Sequence, residues 1–281
     1  MWGVTFSSPL MLASGTAGFG SELLQLGCLK DTGAVVSKAV TLKPRPGNQP
    51  PRILETPMGL LNSIGLANPG AEHVLREILP RLEELPCPLI INVAGESVEE
   101  FAGVVRILED SPLHLGYEVN VSCPNVAAGG RAFGAEPKTV EMVAAVVAKA
   151  TDRPFSVKLT PNCGDIVEAA RAAEAGGASA VTVCNTFLGM YINWRNGDTI
   201  LKRKVAGYTS PALLPLVVAR VFQVAREVSV PVISSGGVST GEDVLQLLAA
   251  GAEMVQVGTR LMRRPWASSE LMSEIASLLN Q

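Results

Sequence analysis

The residues best suited to chemistry lie together at 117–134, YEVNVSCPNVAAGGRAFG. An apolar run through Tyr117, Val119 and Val121 ends in Ser122-Cys123-Pro124-Asn125. Proline has no N–H for a sheet ladder, so Pro124 is expected to turn the chain out of a strand. Cys123 would then sit at a strand's carboxyl end, with Asn120, Ser122 and Asn125 as hydrogen-bonding neighbours. Gly129, Gly130 and Gly134 follow, forming a loop able to hinge over whatever Cys123 faces. A thiol so placed can serve as a general base or a nucleophile. The plainer alternative is a buried structural cysteine before an ordinary turn, the commoner fate of a free cysteine.

Other polar residues punctuate apolar runs. Lys38 ends Val36-Ser37-Lys38, Lys158 lies inside Val157-Lys158-Leu159-Thr160, and Asn92, Asn120, Asn185 and Thr186 occupy similar places. A lysine inside a buried strand must find an anion or acceptor, because burying it unpaired is costly. Internal lysine–glutamate pairing would satisfy that need, and Glu118 is the only obvious acidic partner on those strands. Two lysines and several amides would also suit a flat ring bearing carbonyl and imide groups beside a carboxylated substrate, and would favour a reduced, anionic flavin. Two glycine sites add to this. Ser234-Ser235-Gly236-Gly237-Val238 and Val257-Gly258-Thr259-Arg260 each follow an apolar run, and such glycines let backbone N–H groups approach a phosphate. That phosphate could belong to a substrate or to flavin mononucleotide, FMN.

The elements that must position these groups follow from the pattern. Short β-branched, nearly continuous apolar runs fall at 10–14, 34–39, 88–93, 117–122, 155–160, 180–185, 231–235 and 254–258. Such runs suit strands buried on both faces of a parallel sheet. Helical patterns lie between them, including 71–85, 98–109, 137–150, 165–175, 212–228 and 241–250. Thr240-Gly241-Glu242-Asp243 supplies a cap with early acids, and Gly176, Gly177 and Gly251 follow helix ends. Eight β–α units predict an α/β fold, a TIM (β/α)8 barrel forming one domain over 1–281. The connections 41–69 and 187–211 are longer than a barrel requires, and both follow strand carboxyl ends, the face where barrels carry their sites.

Bulk properties exclude other classes. With 47% hydrophobic residues in 281, the chain can build one full core. A net charge of -3 argues against nucleic-acid binding. The five cysteines, Cys28, Cys87, Cys123, Cys163 and Cys184, include no CxxC pair, so neither a local metal signature nor a disulfide framework is expected. Reduced thiols, the absence of a secretory leader pattern and the lack of a membrane-length apolar run predict a cytoplasmic protein.

The motifs ASG at 13–15, SKAVT at 37–41, NSIGLANPG at 62–70, NVSCPN at 120–125, GGRAFG at 129–134, VKLTPN at 157–162, CNT at 184–186, SSGGV at 234–238 and VGT at 257–259 resemble those of dihydroorotate dehydrogenase. The cysteine in NVSCPN is similar to class 1 enzymes, and GGRAFG to class 1B rather than the fumarate-using class 1A. The resemblance spans nearly the whole chain. It implies FMN bound by Ser14, Lys38, Ala39, Asn92, Asn120, Lys158, Cys184, Ser210, Gly236, Gly237, Gly258 and Thr259. It implies dihydroorotate or orotate bound by Lys38, Asn62, Ser63, Ile64, Gly65, Leu66, Asn120, Asn185 and Thr186. Cys123 would be the base that takes the C5 proton, with Lys38 beside it in the catalytic set. The resemblance also implies a homodimer in a heterotetramer with an electron-transfer subunit. That subunit carries FAD and an iron-sulfur cluster and passes electrons to NAD.

Two departures stand out. The family's GGLSGP reads Ala206-Gly207-Tyr208-Thr209-Ser210-Pro211 here, placing a side chain at Ser210 where glycine backbone would approach FMN, and Asn193 replaces a usual aspartate. They leave open an FMN oxidoreductase of a related pyrimidine, like the dihydropyrimidine dehydrogenase barrel. A non-catalytic FMN- or phosphate-binding subunit is the reading of a different class, and the joint presence of Cys123, Lys38 and Lys158 argues against it.

Overall fold

Apolar runs without polar alternation need cover on both faces, which a parallel barrel wrapped in helices supplies. The computed structural model of the chain, which describes residues 1–122, 124–125 and 131–280, has that form. Its strands begin with β1 (Leu10–Leu12), β2 (Ala34–Val36), β3 (Ile53–Thr56), β4 (Gly59–Asn62), β5 (Leu89–Val93), β6 (Gly116–Asn120) and β7 (Pro124–Asn125). They continue with β8 (Arg131–Ala132), β9 (Phe155–Lys158), β10 (Ala180–Val183), β11 (Phe187–Met190), β12 (Val205–Thr209), β13 (Val232–Ser235) and β14 (Met254–Val257). Eight of them close a barrel in the order β1-β14-β13-β10-β9-β6-β5-β2, every pair parallel. These are the eight predicted strands. Several stop short of their expected carboxyl ends because the chain leaves the ladder there: after β2, the Lys38 N–H already donates to the Gly18 carbonyl at 2.7 Å.

The helices are α1 (Ser21–Gln25), α2 (Ala71–His73), α3 (Val98–Leu108), α4 (Pro137–Ala148), α5 (Ile166–Ala175), α6 (Leu214–Val224), α7 (Gly241–Ala249), α8 (Thr259–Arg263) and α9 (Ala267–Leu279). The cap expected at Thr240 is present as a reciprocal box, its hydroxyl accepting from the Asp243 N–H while the Asp243 carboxylate accepts from the Thr240 N–H. The helix expected over 71–85 is not one helix. It breaks after α2 into a wide turn at Val74–Ile78 and a tight turn at Leu79–Leu82. Pro80 lacks an N–H, and its ring would collide with the carbonyl four residues back.

The core has two parts. One lies between strands and helices, where Phe101, Val104, Val140, Val143, Val221 and Val244 meet the outward faces of the barrel. The other fills the amino-terminal end of the barrel with Met11, Ala34, Val36, Ile90, Ala180, Ile233 and Met254, over which Met1, Trp2 and Phe6 pack. Trp2 Nε1 donates to the Ser179 carbonyl at 3.3 Å, and the terminal ammonium pairs with Glu253 at 2.6 Å, so that end is plugged.

The two long connections do something the sequence did not predict. They form a single antiparallel sheet, β11-β12-β4-β3, standing over the carboxyl end of the barrel. Leu61, Leu201 and Ala206 make its own small core. Pro124 leaves the barrel as expected, and β7 then pairs antiparallel with β8 at the base of the glycine loop. Residues 126–130 of that loop lie outside the described residues.

Near the plugged end, His114 is buried against the Tyr117 ring, with centroids 4.9 Å apart, and neither ring nitrogen has a hydrogen-bond partner among the described residues. Burial, reinforced by the nearby Arg153 charge, lowers its pKa from 6.5 to about 4. A folded-state value below the unfolded one means the contribution is fully present above about pH 6.5 and is lost as pH falls toward about 4. Stability measured by urea unfolding should therefore fall across that window, by on the order of 3 kcal/mol from this residue. His114→Leu should flatten that part of the profile; an unchanged slope in the variant would contradict the assignment.

Candidate active site

Above the apolar plug the barrel interior turns polar, and a carboxylate lies at its centre. Glu118 on β6 is only 1% exposed. It accepts from Asn92 Nδ2 on β5 at 2.8 Å and from Lys158 Nζ on β9 at 3.3 Å. It also accepts from Thr182 Oγ1 on β10 at 3.2 Å and from Gln256 Nε2 on β14. Lys158 Nζ donates in turn to Gln256 Oε1 at 2.8 Å. The parallel register makes this possible, setting Asn92 opposite Glu118 and Lys158 opposite Thr182. The internal lysine–glutamate pairing is therefore real. Lys158 nevertheless also faces outward, and with Gln256 it lines the floor of a cavity at the carboxyl end of the barrel.

That cavity encloses about 750 Å³. Around its wall stand Ser14, Gly15 and Thr16 after β1, Cys184 after β10, and Tyr208, Thr209 and Ser210 at the end of β12. The glycine arms, Gly236 and Gly237 after β13 and Gly258 and Thr259 after β14, close one end. Gly237 has a φ of +80°, and a Cβ there would fall 2.6 Å from the Leu214 Cα, so glycine alone fits where this arm meets α6. Burial pushes the Cys184 thiol up to about 12, which keeps it neutral against the wall. Asn92 is fully buried and its Oδ1 has no partner among the described residues.

The opposite end of the cavity is built by the small sheet and the amide residues. Asn62, Ile64, Asn185, Thr186 and Phe187 line it. Asn185 Nδ2 donates to Asn120 Oδ1 at 3.1 Å, and its own Oδ1 accepts the Thr186 N–H at 2.8 Å. Asn162, to which the sequence reading gave no role, holds this turn by donating to the Thr186 carbonyl at 3.0 Å and accepting from the Leu188 N–H at 3.0 Å. In the loop beyond β4, Gly65 and Leu66 both take left-handed backbone, with φ of +74° and +56°. A Cβ on Gly65 would come 2.5 Å from the Asn48 nitrogen. Asn68 pins the loop's end, accepting from the Thr41 and Gly70 N–H groups and donating to the Leu66 carbonyl.

Of the residues predicted for the cofactor, Ser14, Lys158, Cys184, Ser210, Gly236, Gly237, Gly258 and Thr259 line the cavity, as do Asn62, Ile64, Asn185 and Thr186 of those predicted for the substrate. Lys38, Ala39, Asn92, Asn120, Ser63, Gly65 and Leu66 are not on its lining. Lys38 is half-buried, with no side-chain partner among the described residues, whereas the Ser63 hydroxyl accepts from Asn48 at 2.8 Å. Cys123 lies outside the described residues. The two departures have structural tasks. Ser210 Oγ donates to the Met58 carbonyl at 2.5 Å and caps the turn before α6, and Asn193 Oδ1 accepts from the Arg195 N–H in a turn off the cavity lining.

The model of the family described as dihydroorotate dehydrogenase matches residues 1–279. The chain belongs to the dihydroorotate dehydrogenase family. It is 40% identical over 279 residues to the dihydroorotate dehydrogenase B (NAD(+)) catalytic subunit of Geobacillus sp. (strain WCH70), covering 99% of this chain and 89% of that one. The Alkaliphilus oremlandii (strain OhILAs) subunit of the same name is 43% identical, covering 99% and 92%. The Eimeria tenella dihydroorotate dehydrogenase crystallised with ferulenol shares the fold, with a TM-score of 0.80 at 22% identity, covering 99% of this chain and 83% of the other.

Besides Asn162, the sequence left Gln256 without a role. Its signal was the one that exposed Lys158: a lone polar side chain in an apolar strand, Met254-Val255-Gln256-Val257. Replacing the hub carboxylate should be severe. Glu118→Gln leaves the Lys158 ammonium buried without its anion, and breaking such a pair costs roughly 3–5 kcal/mol. Urea unfolding of the purified variant checks this, and a loss below about 1 kcal/mol would contradict the hub.

Proposed function

We propose that this chain is an FMN-dependent oxidoreductase of the cytoplasm that oxidises dihydroorotate to orotate in pyrimidine biosynthesis. The observation that carries the reading is one cavity with a glycine cradle at one end, Lys158 on its floor and the Asn185–Thr186 turn at the other. The residues fit FMN. Gly236, Gly237, Gly258 and Thr259 would hold its phosphate. Ser14, Ala39, Lys158, Cys184 and Ser210 would surround its ring, with Lys38, Asn120 and the unpartnered Oδ1 of Asn92 as further contacts. Bound there, FMN would supply the acceptor for a hydride.

The chain's own work is to bind, orient and deprotonate the substrate. Asn62, Asn120, Asn185 and Thr186 present amide and hydroxyl groups to the ring of dihydroorotate. The Ser63 N–H is spent on the Arg52 carbonyl at 2.7 Å, so the Ser63 hydroxyl and the backbone N–H groups of Ile64, Gly65 and Leu66 would meet the substrate carboxylate, with Lys38 supplying a cation. Cys123 takes the C5 proton. An ordinary thiol pKa near 8.5 leaves only a few per cent thiolate at neutral pH, so turnover rises with pH until the thiol is titrated.

Electrons must then leave. Among the described residues no cluster of His, Cys, Asp and Glu could hold a metal, and no helix is long and apolar enough to cross a membrane. Curated relatives carry the name catalytic subunit and the cosubstrate NAD(+), which supports a partner subunit; in the assembly proposed here a homodimer of this chain works with a subunit carrying FAD and an iron-sulfur cluster. Exposed Leu188, Met190, Tyr191, Ile192 and Trp194, in β11 and the loop after it, give the small sheet an apolar surface of the kind a partner covers. The test is a contrast. Alone, the protein should pass electrons from dihydroorotate to artificial dyes and hardly reduce NAD; with the partner subunit, NAD reduction should appear. Brisk NAD reduction by the isolated chain would overturn the partner model, and brisk fumarate reduction would move the chain to class 1A.

A further inference from the structure

Resting on the FMN reading above, we infer that Arg260 is a positioning residue that sets the spacing of the two glycine arms and thereby selects FMN over riboflavin. The arms belong to different loops. The β13–β14 ladder that joins them has its last pair at Ser235 and Gln256, before either arm begins. Beyond that pair, the one hydrogen-bond link between the arms among the described residues is the Arg260 guanidinium, which donates through Nη1 to the Ser239 carbonyl. Arg260 directly follows Thr259, so its backbone is part of one arm while its side chain grips the other.

The grip is anchored behind. Arg260 Nη2 donates to Glu270 Oε2 at 3.0 Å and to Glu274 Oε1 at 2.8 Å, both on α9. Glu274 Oε2 accepts the Gly241 N–H at 2.7 Å, which ties the start of α7 to the same carboxylate. The Arg260 side chain is only 15% exposed. A planar guanidinium with several donors can bind three acceptors in one fixed geometry, as an ammonium cannot. Glu274 and Glu270, the latter shared with Arg264 at 2.7 Å, balance the charge of the two arginines, so the contribution of Arg260 at the cradle is geometric: the backbone N–H groups of both arms stand ready before a phosphate arrives, and less ordering is needed on binding. Lys158, Asn92 and Cys184, at the ring end, touch nothing in this clip.

Flavin fluorescence titrations of the full-length, flavin-free protein test this, with FMN and riboflavin as paired probes. For Arg260→Met we expect FMN affinity to fall about tenfold or more while riboflavin affinity stays within about twofold. Arg260→Lys, which keeps the charge and loses the fork, should fall between. Glu274→Gln should weaken FMN in the same direction, because it loosens the anchor. If Arg260→Met does not fold, the other two variants decide. An unchanged ratio, or equal loss of both flavins, would overturn the inference. So would tighter FMN binding by Glu274→Gln, which would mean that Arg260 acts through its charge. A parent protein that binds neither flavin would instead bring down the FMN reading itself.

Discussion

A negative charge buried in the middle of a barrel is costly unless several donors meet it, and four strands of this barrel each send one to Glu118. That constraint organises much of what lies above and below. Lys158 is held as a buried cation at the cavity floor because Glu118 and Gln256 satisfy it from beneath. Asn92 is oriented with one amide atom spent on the carboxylate and the other left free. The register of β5, β6, β9 and β10 must be right for these contacts, since a slip of one residue would turn each of them to the opposite face. The hub thus ties strand pairing to the chemistry of the pocket.

Around that hub the chain divides its labour by depth. The amino-terminal end is apolar and plugged by Met1, Trp2 and Phe6, which keeps water away from one side of the polar layer. The carboxyl end carries the parts that must meet small molecules: glycine arms, amide turns and the added sheet. That sheet draws β3 and β4 from one long connection and β11 and β12 from another. It converts two loops that would each be mobile alone into a single wall. Ser210 ties the end of β12 to the β3–β4 turn through the Met58 carbonyl, and Thr209 fastens the wall to the barrel through the Thr259 hydroxyl.

Much of this was legible in the sequence for a simple reason. Barrel strands are short, apolar and local, and a lysine or amide inside one announces itself against its neighbours. Lys158 and Asn92 were found that way, and Gln256 carried the same signal unread. The small sheet was not legible, because β4 pairs with β12 across more than half the chain and Gly59 and Gly207 interrupt any periodicity. The break after His73 could have been read from Pro80. Ser210 and Asn193, which departed from the family pattern, gave no hint from sequence of the turns they cap, since those bonds depend on partners that only the fold brings near. Cys123, outside the described residues, was legible from its place at a strand's end just before Pro124 and from the NVSCPN motif.

In the proposed reaction this cavity joins a flavin to dihydroorotate, with Cys123 as the base. That reaction is tested most directly by anaerobic titration of the purified protein with dihydroorotate, followed in the visible spectrum beside Cys123→Ala. The parent should be yellow, with one FMN per chain, and should bleach on adding dihydroorotate. The variant should hold the same flavin and reduce it slower by roughly 10²–10⁴-fold, the usual worth of a general base. A protein that takes up no FMN, a bound flavin that dihydroorotate leaves oxidised, or a variant reduced within a few-fold of the parent would each contradict that account.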